Sequence, residues 1–191
     1  MLIDKSDMLS VIRNFPKQCK EAMNLPQGLN VKGDIKKIFV AGMGGSGLGG
    51  ELLKSYMINS KIPVFPVKDY SLPGYADENS LVFAVSYSGN TEETISAFHD
   101  ARKKNCKIIA ITSGGELAKI SDKLIKVPSG MQPRAALGYL FFPMLGVLHN
   151  ANLLDVHNDE LKEMLCVDAL LPRKVDVRSL MESINEIFDK G

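Results

Sequence analysis

Between Gly42 and Gly50 the chain reads GMGGSGLGG, set between an apolar run, KIFVA (37–41), and a helix-like segment, ELLKSYM (51–57). A buried strand that turns through glycines into a helix leaves backbone N–H groups without partners. The helix dipole adds positive potential at the same point, so such a turn is suited to an anion. Glycine also lets a ligand approach the backbone closely, and Gly45 and Ser46 lie in the middle of the turn, the serine adding a hydroxyl. The chemistry this points to is the holding of a phosphate or a similar anion. A second turn of the same kind, SYSGNTEET (86–94), brings Ser86, Ser88 and Thr91 close together around Gly89. Asn90 and Glu93 read as a capping pair for the helix that follows.

Each feature has a competing reading. Gly42, Gly44 and Gly47 also fit the dinucleotide pattern G-x-G-x-x-G, with Asp69 downstream about where a ribose-binding acid belongs. A glycine turn without any ligand is the third possibility. A Walker-type loop is excluded, because no G-K-[ST] follows. The hydroxyls of the second turn could do no more than cap a helix. Two hydroxyl-rich helix starts on neighbouring strands would, however, converge on one crevice, and a dinucleotide does not require the second. The balance moves to a small phosphorylated ligand. Thr112, Ser113, Gly114 and Gly115 make a third small-residue turn, which either shapes the crevice mouth or only connects a strand to a helix.

Arg134 opens a long apolar helix, where a cation opposes the dipole, so its place needs another reason. It either snorkels to solvent or stands beside a ligand to neutralise charge that develops in a reaction. Glu92 and Glu93 complement a helix dipole better than they form an acid–base pair. His99, His149 and His157 are isolated from one another and read as surface or packing residues.

The elements that must position these residues alternate from Lys37 onward. Strand candidates are 37–41, 63–67, 80–86, 107–112 and 123–128, short and apolar on both faces, as in a parallel sheet covered on both sides. Helix candidates lie at 46–58, 90–104 and 116–121. This predicts an α/β, three-layer αβα sandwich with a five-stranded parallel sheet, doubly wound like flavodoxin and flanked by extra helices, with ligands at the carboxyl ends of the strands. Residues 1–30 read as a helical extension, broken at Pro16 and closed by Pro26 and Gly28, with no chemistry of its own. The apolar segment after Pro133 is expected to be a helix kinked at Pro143 and Gly146, buried in the domain or at a homodimer interface. Residues 31–155 form the main domain, and 156–191 carry two further amphipathic helices.

With 23 basic and 22 acidic residues, the net charge of +1 gives no broad footprint for nucleic acid. Cys19, Cys106 and Cys166 are odd in number and far apart, and read as reduced thiols. The charged N-terminus does not read as a secretory signal, and the apolar run 135–148 is short for a membrane span. A soluble cytoplasmic chain is expected.

These motifs together resemble a sugar isomerase (SIS) domain. GMGGSGLGG, SYSGNTEET, AITSGG and GMQPRAALGY occur in the order and spacing of that family, over residues 30–155. QPR-x-A-x-x-Y narrows the resemblance to the N-terminal half of the bifunctional phosphoglucose/phosphomannose isomerases. The resemblance implies that Gly45, Ser46, Ser86, Ser88 and Thr91 bind the phosphate of a hexose 6-phosphate, and that Arg134 lies near carbons 1 and 2 of the opened sugar. It implies an aldose–ketose isomerisation through an enediolate, with no metal or redox cofactor. It places the base carboxylate, a histidine and a lysine in a second SIS domain, to which nothing here corresponds, so the chain alone is expected to bind without turnover. The alternative is a stand-alone sugar-phosphate-binding or regulatory module.

Overall fold

The computed structural model describes residues 8–154. Five strands form one parallel sheet: β1 (Lys37–Ala41), β2 (Val64–Val67), β3 (Ser80–Val85), β4 (Lys107–Thr112) and β5 (Leu124–Lys126). Their order is β2-β1-β3-β4-β5, the doubly wound arrangement expected from the sequence. β3 lies at the centre and every one of its residues is buried. β1 pairs with it in parallel, Ala41 opposite Ala84, so the carboxyl ends of the two strands are level. Pro66 is accommodated because β2 is an edge strand with a free side.

Strand alternation sends side chains to two covered faces. On one face Phe39, Ala41, Val82 and Ala84 pack with Ala97, Phe98 and Ala101 of α3 (Glu92–Lys103) and Leu117 of α4 (Gly115–Ile120). On the other, Gly50 of α2 (Gly44–Tyr56) lies so close to Val40 that a Cβ there would stand 3.0 Å from the valine Cβ. α5 (Leu137–Asn150) covers the same face, and α1 (Met8–Asn24) lies against α5.

The chain leaves β1 toward β2 through α2 on one face, and leaves β3 toward β4 through α3 on the opposite face. The two connections therefore diverge above the carboxyl ends of β1 and β3 and open a crevice there, the switch point at which such sheets bind ligands.

Two expectations need correction. Pro16 does not break α1: the helix runs through it, stabilised by the burial of Gln18, Cys19 and Ala22. α2 begins at Gly44, inside the glycine string. Its glycines are required by packing, since a Cβ on Gly47 would meet the Gly42 carbonyl oxygen at 2.5 Å and one on Gly49 would crowd Met144 and Leu140. Of the two places expected for the apolar helix α5, the domain interior is the one seen: every residue from Gly138 to Leu148 is buried within one chain. α5 runs from Leu137 to Asn150 with Pro143 inside it, and Gly146 admits Met23 and Pro26 at the end of α1. The amphipathic helices expected over 156–191, with Cys166 and His157, lie outside the described residues. Among the described residues, no helix is long and apolar enough to cross a membrane.

Candidate functional site

The crevice is walled by the first turn of α2, by the turn between β3 and α3, and by the segment that carries Arg134. At the start of α2 the N–H groups of Gly44 and Gly45 precede the first possible intrahelical bonds. Gly44 has φ +52°, and a Cβ on it would meet no atom within 4 Å, so it presents bare backbone to open space. Ser46, in the same turn, is buried at 7 % exposure, and its Oγ accepts the Tyr87 N–H at 3.2 Å. That bond joins the two turns and leaves the Ser46 hydroxyl proton free to donate.

In the second turn Ser86 Oγ accepts the Gly89 N–H at 3.1 Å and shares a hydrogen bond with Thr91 Oγ1 at 2.9 Å. The two hydroxyls hold two protons and use one between them, so one O–H donor of the pair is uncommitted whichever way the bond runs. Ser88 is exposed, and its Oγ accepts the Asn90 N–H at 3.3 Å, again leaving its proton available. Thr91 is the N-cap of α3 but makes no side-chain capping bond, so its hydroxyl is not spent on the helix. Ser46, Ser88 and the Ser86–Thr91 pair therefore offer three hydroxyl donors beside two helix N-termini, a set matched to the oxygens of a phosphate.

The capping pair expected of Asn90 and Glu93 does not form. Asn90 Oδ1 instead accepts the Glu116 N–H at 3.0 Å, at the start of α4. The third turn also has a defined job. The Tyr87 carbonyl accepts from the Ser113 N–H at 3.1 Å and from Ser113 Oγ at 2.7 Å. Gly89 and Gly114 are packed backbone to backbone, with no room for a side chain on Gly89. Thr112–Gly115 is thus a brace beneath the second turn.

Arg134 lies in a short 3₁₀ turn, Pro133–Ala136, that leads into α5. Its backbone abuts the start of α2: a Cβ on Gly45 would stand 3.3 Å from the Arg134 nitrogen and 3.4 Å from its Cα. Arg134 is exposed, and its guanidinium has no hydrogen-bond or ion-pair partner among the described residues. The segments that carry Gly45, Ser46, Ser86, Ser88, Thr91 and the Arg134 backbone thus adjoin one another at the carboxyl ends of β1 and β3.

Two residues near it give no signal in the sequence. Lys68, just after β2, places its Cε 3.7 Å from where a Gly47 Cβ would lie, and its Nζ pairs with Glu51 at 2.8 Å. The hydrogen bond and charge of Lys68 hold the Glu51 carboxyl below its ordinary range. Tyr87 stands in the sequence as a spacer between serines, yet it is buried and bonded to three separate segments.

Glu92 and Glu93 fall in the first turn of α3, as expected of dipole partners. Glu93 is the main cause that pushes the exposed Tyr70 phenol above its ordinary range. Asp69, the acid of the dinucleotide reading, accepts the N–H of Tyr70 at 2.6 Å. His99 and His149 are exposed. Burial pushes the Cys19 thiol up to about 12, which makes it an inert packing group.

The chain is a doubly wound α/β domain with two hydroxyl-rich turns at its switch point, where folds of this class bind their ligands. The chain belongs to the SIS domain family, whose model matches residues 34–149. It is 45 % identical over 168 residues to a bifunctional phosphoglucose/phosphomannose isomerase of Caldicellulosiruptor bescii, covering 84 % of this chain and 50 % of that one. The corresponding isomerase of Aquifex aeolicus is 38 % identical, with 81 % and 47 % covered. A D-glucosamine-6-phosphate 4-epimerase of Sulfolobus acidocaldarius is 36 % identical, with 61 % and 38 % covered. Among solved structures, the C-terminal domain of glucosamine-fructose-6-phosphate aminotransferase from Francisella tularensis superposes with TM-score 0.61 at 18 % identity, covering 86 % of this chain and 53 % of that one. That likeness is one of fold. The chain spans about half the length of the curated isomerases it matches.

Proposed function

We propose that this chain is the sugar-phosphate-binding part of an aldose–ketose isomerase that interconverts glucose 6-phosphate or mannose 6-phosphate with fructose 6-phosphate. The observation that supports this reading most is that the turn carrying Gly45 and Ser46, joined to the turn carrying Ser86, Ser88 and Thr91 by the Tyr87 N–H to Ser46 bond, also abuts the backbone of Arg134, whose side chain is unpaired among the described residues. The amides and hydroxyls hold the phosphate and fix one end of the sugar. Arg134 meets the other end, near carbons 1 and 2 of the opened chain. There it stabilises the negative charge of an enediolate as a proton leaves carbon 2 of the aldose and returns at carbon 1.

The proton needs a carboxylate base. The family resemblance puts that base in a second SIS domain, so the 191-residue chain by itself is proposed to bind its ligand without turning it over. Two measurements on the purified chain test the reading. Calorimetric titration with fructose 6-phosphate is expected to show one saturable site per chain. An assay coupled to glucose 6-phosphate oxidation is expected to stay at background. Absence of any binding would overturn the assignment, and turnover would overturn the placement of the base elsewhere.

A further inference from the structure

The Arg134 guanidinium has no protein partner among the described residues, so where it can reach is set by its backbone. That backbone is held from two sides. After it, Gln18 of α1, 5 % exposed, donates from Nε2 to the Ala135 carbonyl at 3.1 Å and accepts the Gly138 N–H on Oε1 at 2.7 Å. Before it, the hydroxyl of Tyr87 donates to the Pro128 carbonyl at 2.9 Å and accepts the Met131 N–H at 2.8 Å. The same tyrosine donates its own N–H to Ser46 and receives Ser113 on its carbonyl. Tyr87 thus lies between Ser86 and Ser88 in the phosphate turn while its side chain ends on the segment leading to Arg134.

We propose that Tyr87 is a positioning residue that sets the distance between the phosphate cradle and Arg134, and so places the cation at the reacting end of a sugar whose phosphate is already anchored. This rests on the functional reading above. The ring is buried at 6 % exposure, so it is a rigid spacer, and the phenol satisfies one acceptor and one donor of the 128–131 segment together. Phenylalanine keeps the spacer and supplies neither bond. Pro128 O and Met131 N–H would then turn to water, and Arg134 would lose its fixed approach to Gly45 without any change in the cradle.

The test is Tyr87→Phe in the full chain, titrated with inorganic phosphate, with fructose 6-phosphate and with 5-phosphoarabinonate, a sugar-acid phosphate whose carboxylate stands where the enediolate oxygens develop. Inorganic phosphate should bind Tyr87→Phe within about twofold of the parent. 5-Phosphoarabinonate should bind about tenfold more weakly, the scale of one charge-assisted hydrogen bond. In an Arg134→Ala background Tyr87→Phe should have no further effect on 5-phosphoarabinonate, because the tyrosine acts through the arginine. Equal weakening of all three ligands, or the same loss in both backgrounds, would overturn the proposal. So would Tyr87→Phe binding all three as the parent does. A parent chain that binds none of them would instead overturn the functional reading, and this inference with it. Hydrogen exchange of the Met131 amide in the parent gives a check that needs no variant. Protection is expected, and exchange at the rate of an open loop would overturn the strap.

Discussion

Two serines of the same type, on neighbouring turns, have opposite fates. Ser88 is exposed, and its hydroxyl proton is free for a ligand, whereas Ser113 Oγ is committed to the Tyr87 carbonyl at 2.7 Å. Ser88→Ala is therefore expected to weaken fructose 6-phosphate binding by about 1.5–3 kcal/mol, the cost of a hydrogen bond to a charged group. Ser113→Ala should lower unfolding free energy by about 0.5–1.5 kcal/mol and leave affinity within about threefold, since the Ser113 N–H still holds the same carbonyl. Calorimetry and urea unfolding on both variants separate the roles. A stable, tight-binding Ser88→Ala protein would remove Ser88 from the cradle. Ser88 is legible in the sequence because hydroxyls clustered beside a glycine at a helix start are a local pattern. Tyr87 is not, because its partners Ser46, Ser113, Pro128 and Met131 are 26 to 44 positions away along the chain.

Elements are fixed here by how closely backbones approach. The second and third turns interlock, and Gly89, at φ +71°, has the Gly114 carbonyl where a Cβ would go. Gly89→Ala combines left-handed strain with a backbone clash and is expected to cost on the order of 4 kcal/mol or more, read as a lower urea midpoint. Gly44→Ala makes the contrast: at φ +52° with nothing within 4 Å, it should cost only about 1–2 kcal/mol. Equal midpoints for the two would contradict the interlock. Close approach also explains where the expected start of α2 falls short. Glycine disfavours a helix interior, which argues for a helix that begins after Gly45. Yet the close approaches of Gly47 to the end of β1, Gly49 to α5 and Gly50 to Val40 require glycine, and tertiary packing outweighs propensity.

At the scale of the whole molecule, α1 and α5 are joined by polar contacts as well as by packing. The Tyr139 hydroxyl donates to Glu21 at 2.6 Å, and burial, reinforced by that carboxylate, raises its pKa from 10.0 to about 12. The folded chain therefore keeps this proton after the unfolded chain has lost it, and the linkage has a definite sign. The contribution is fully present below pH 10 and is lost as pH rises toward 12. Urea midpoints measured from about pH 9 to 12 should fall more steeply for the parent than for Tyr139→Phe, and parallel curves would count against the coupling. The same packing gives α1 a defined place. Read from the sequence as a helical extension with no chemistry of its own, α1 supplies a structural contact, Gln18, which holds the helix start beside Arg134.

By itself the sequence determined the parallel α/β class, the five strands and the two hydroxyl turns. Apolar runs, glycine turns and helix starts are written locally, within a few residues of where they act. Only the tertiary structure decided that Arg134 abuts Gly45, that Thr112–Gly115 is a brace, that α5 is covered within one chain, and that Tyr87 ties the phosphate turn to the arginine segment. Those facts depend on which distant backbones meet. Side-chain type and neighbouring residues do not encode such a meeting until the sheet order has brought the loops together.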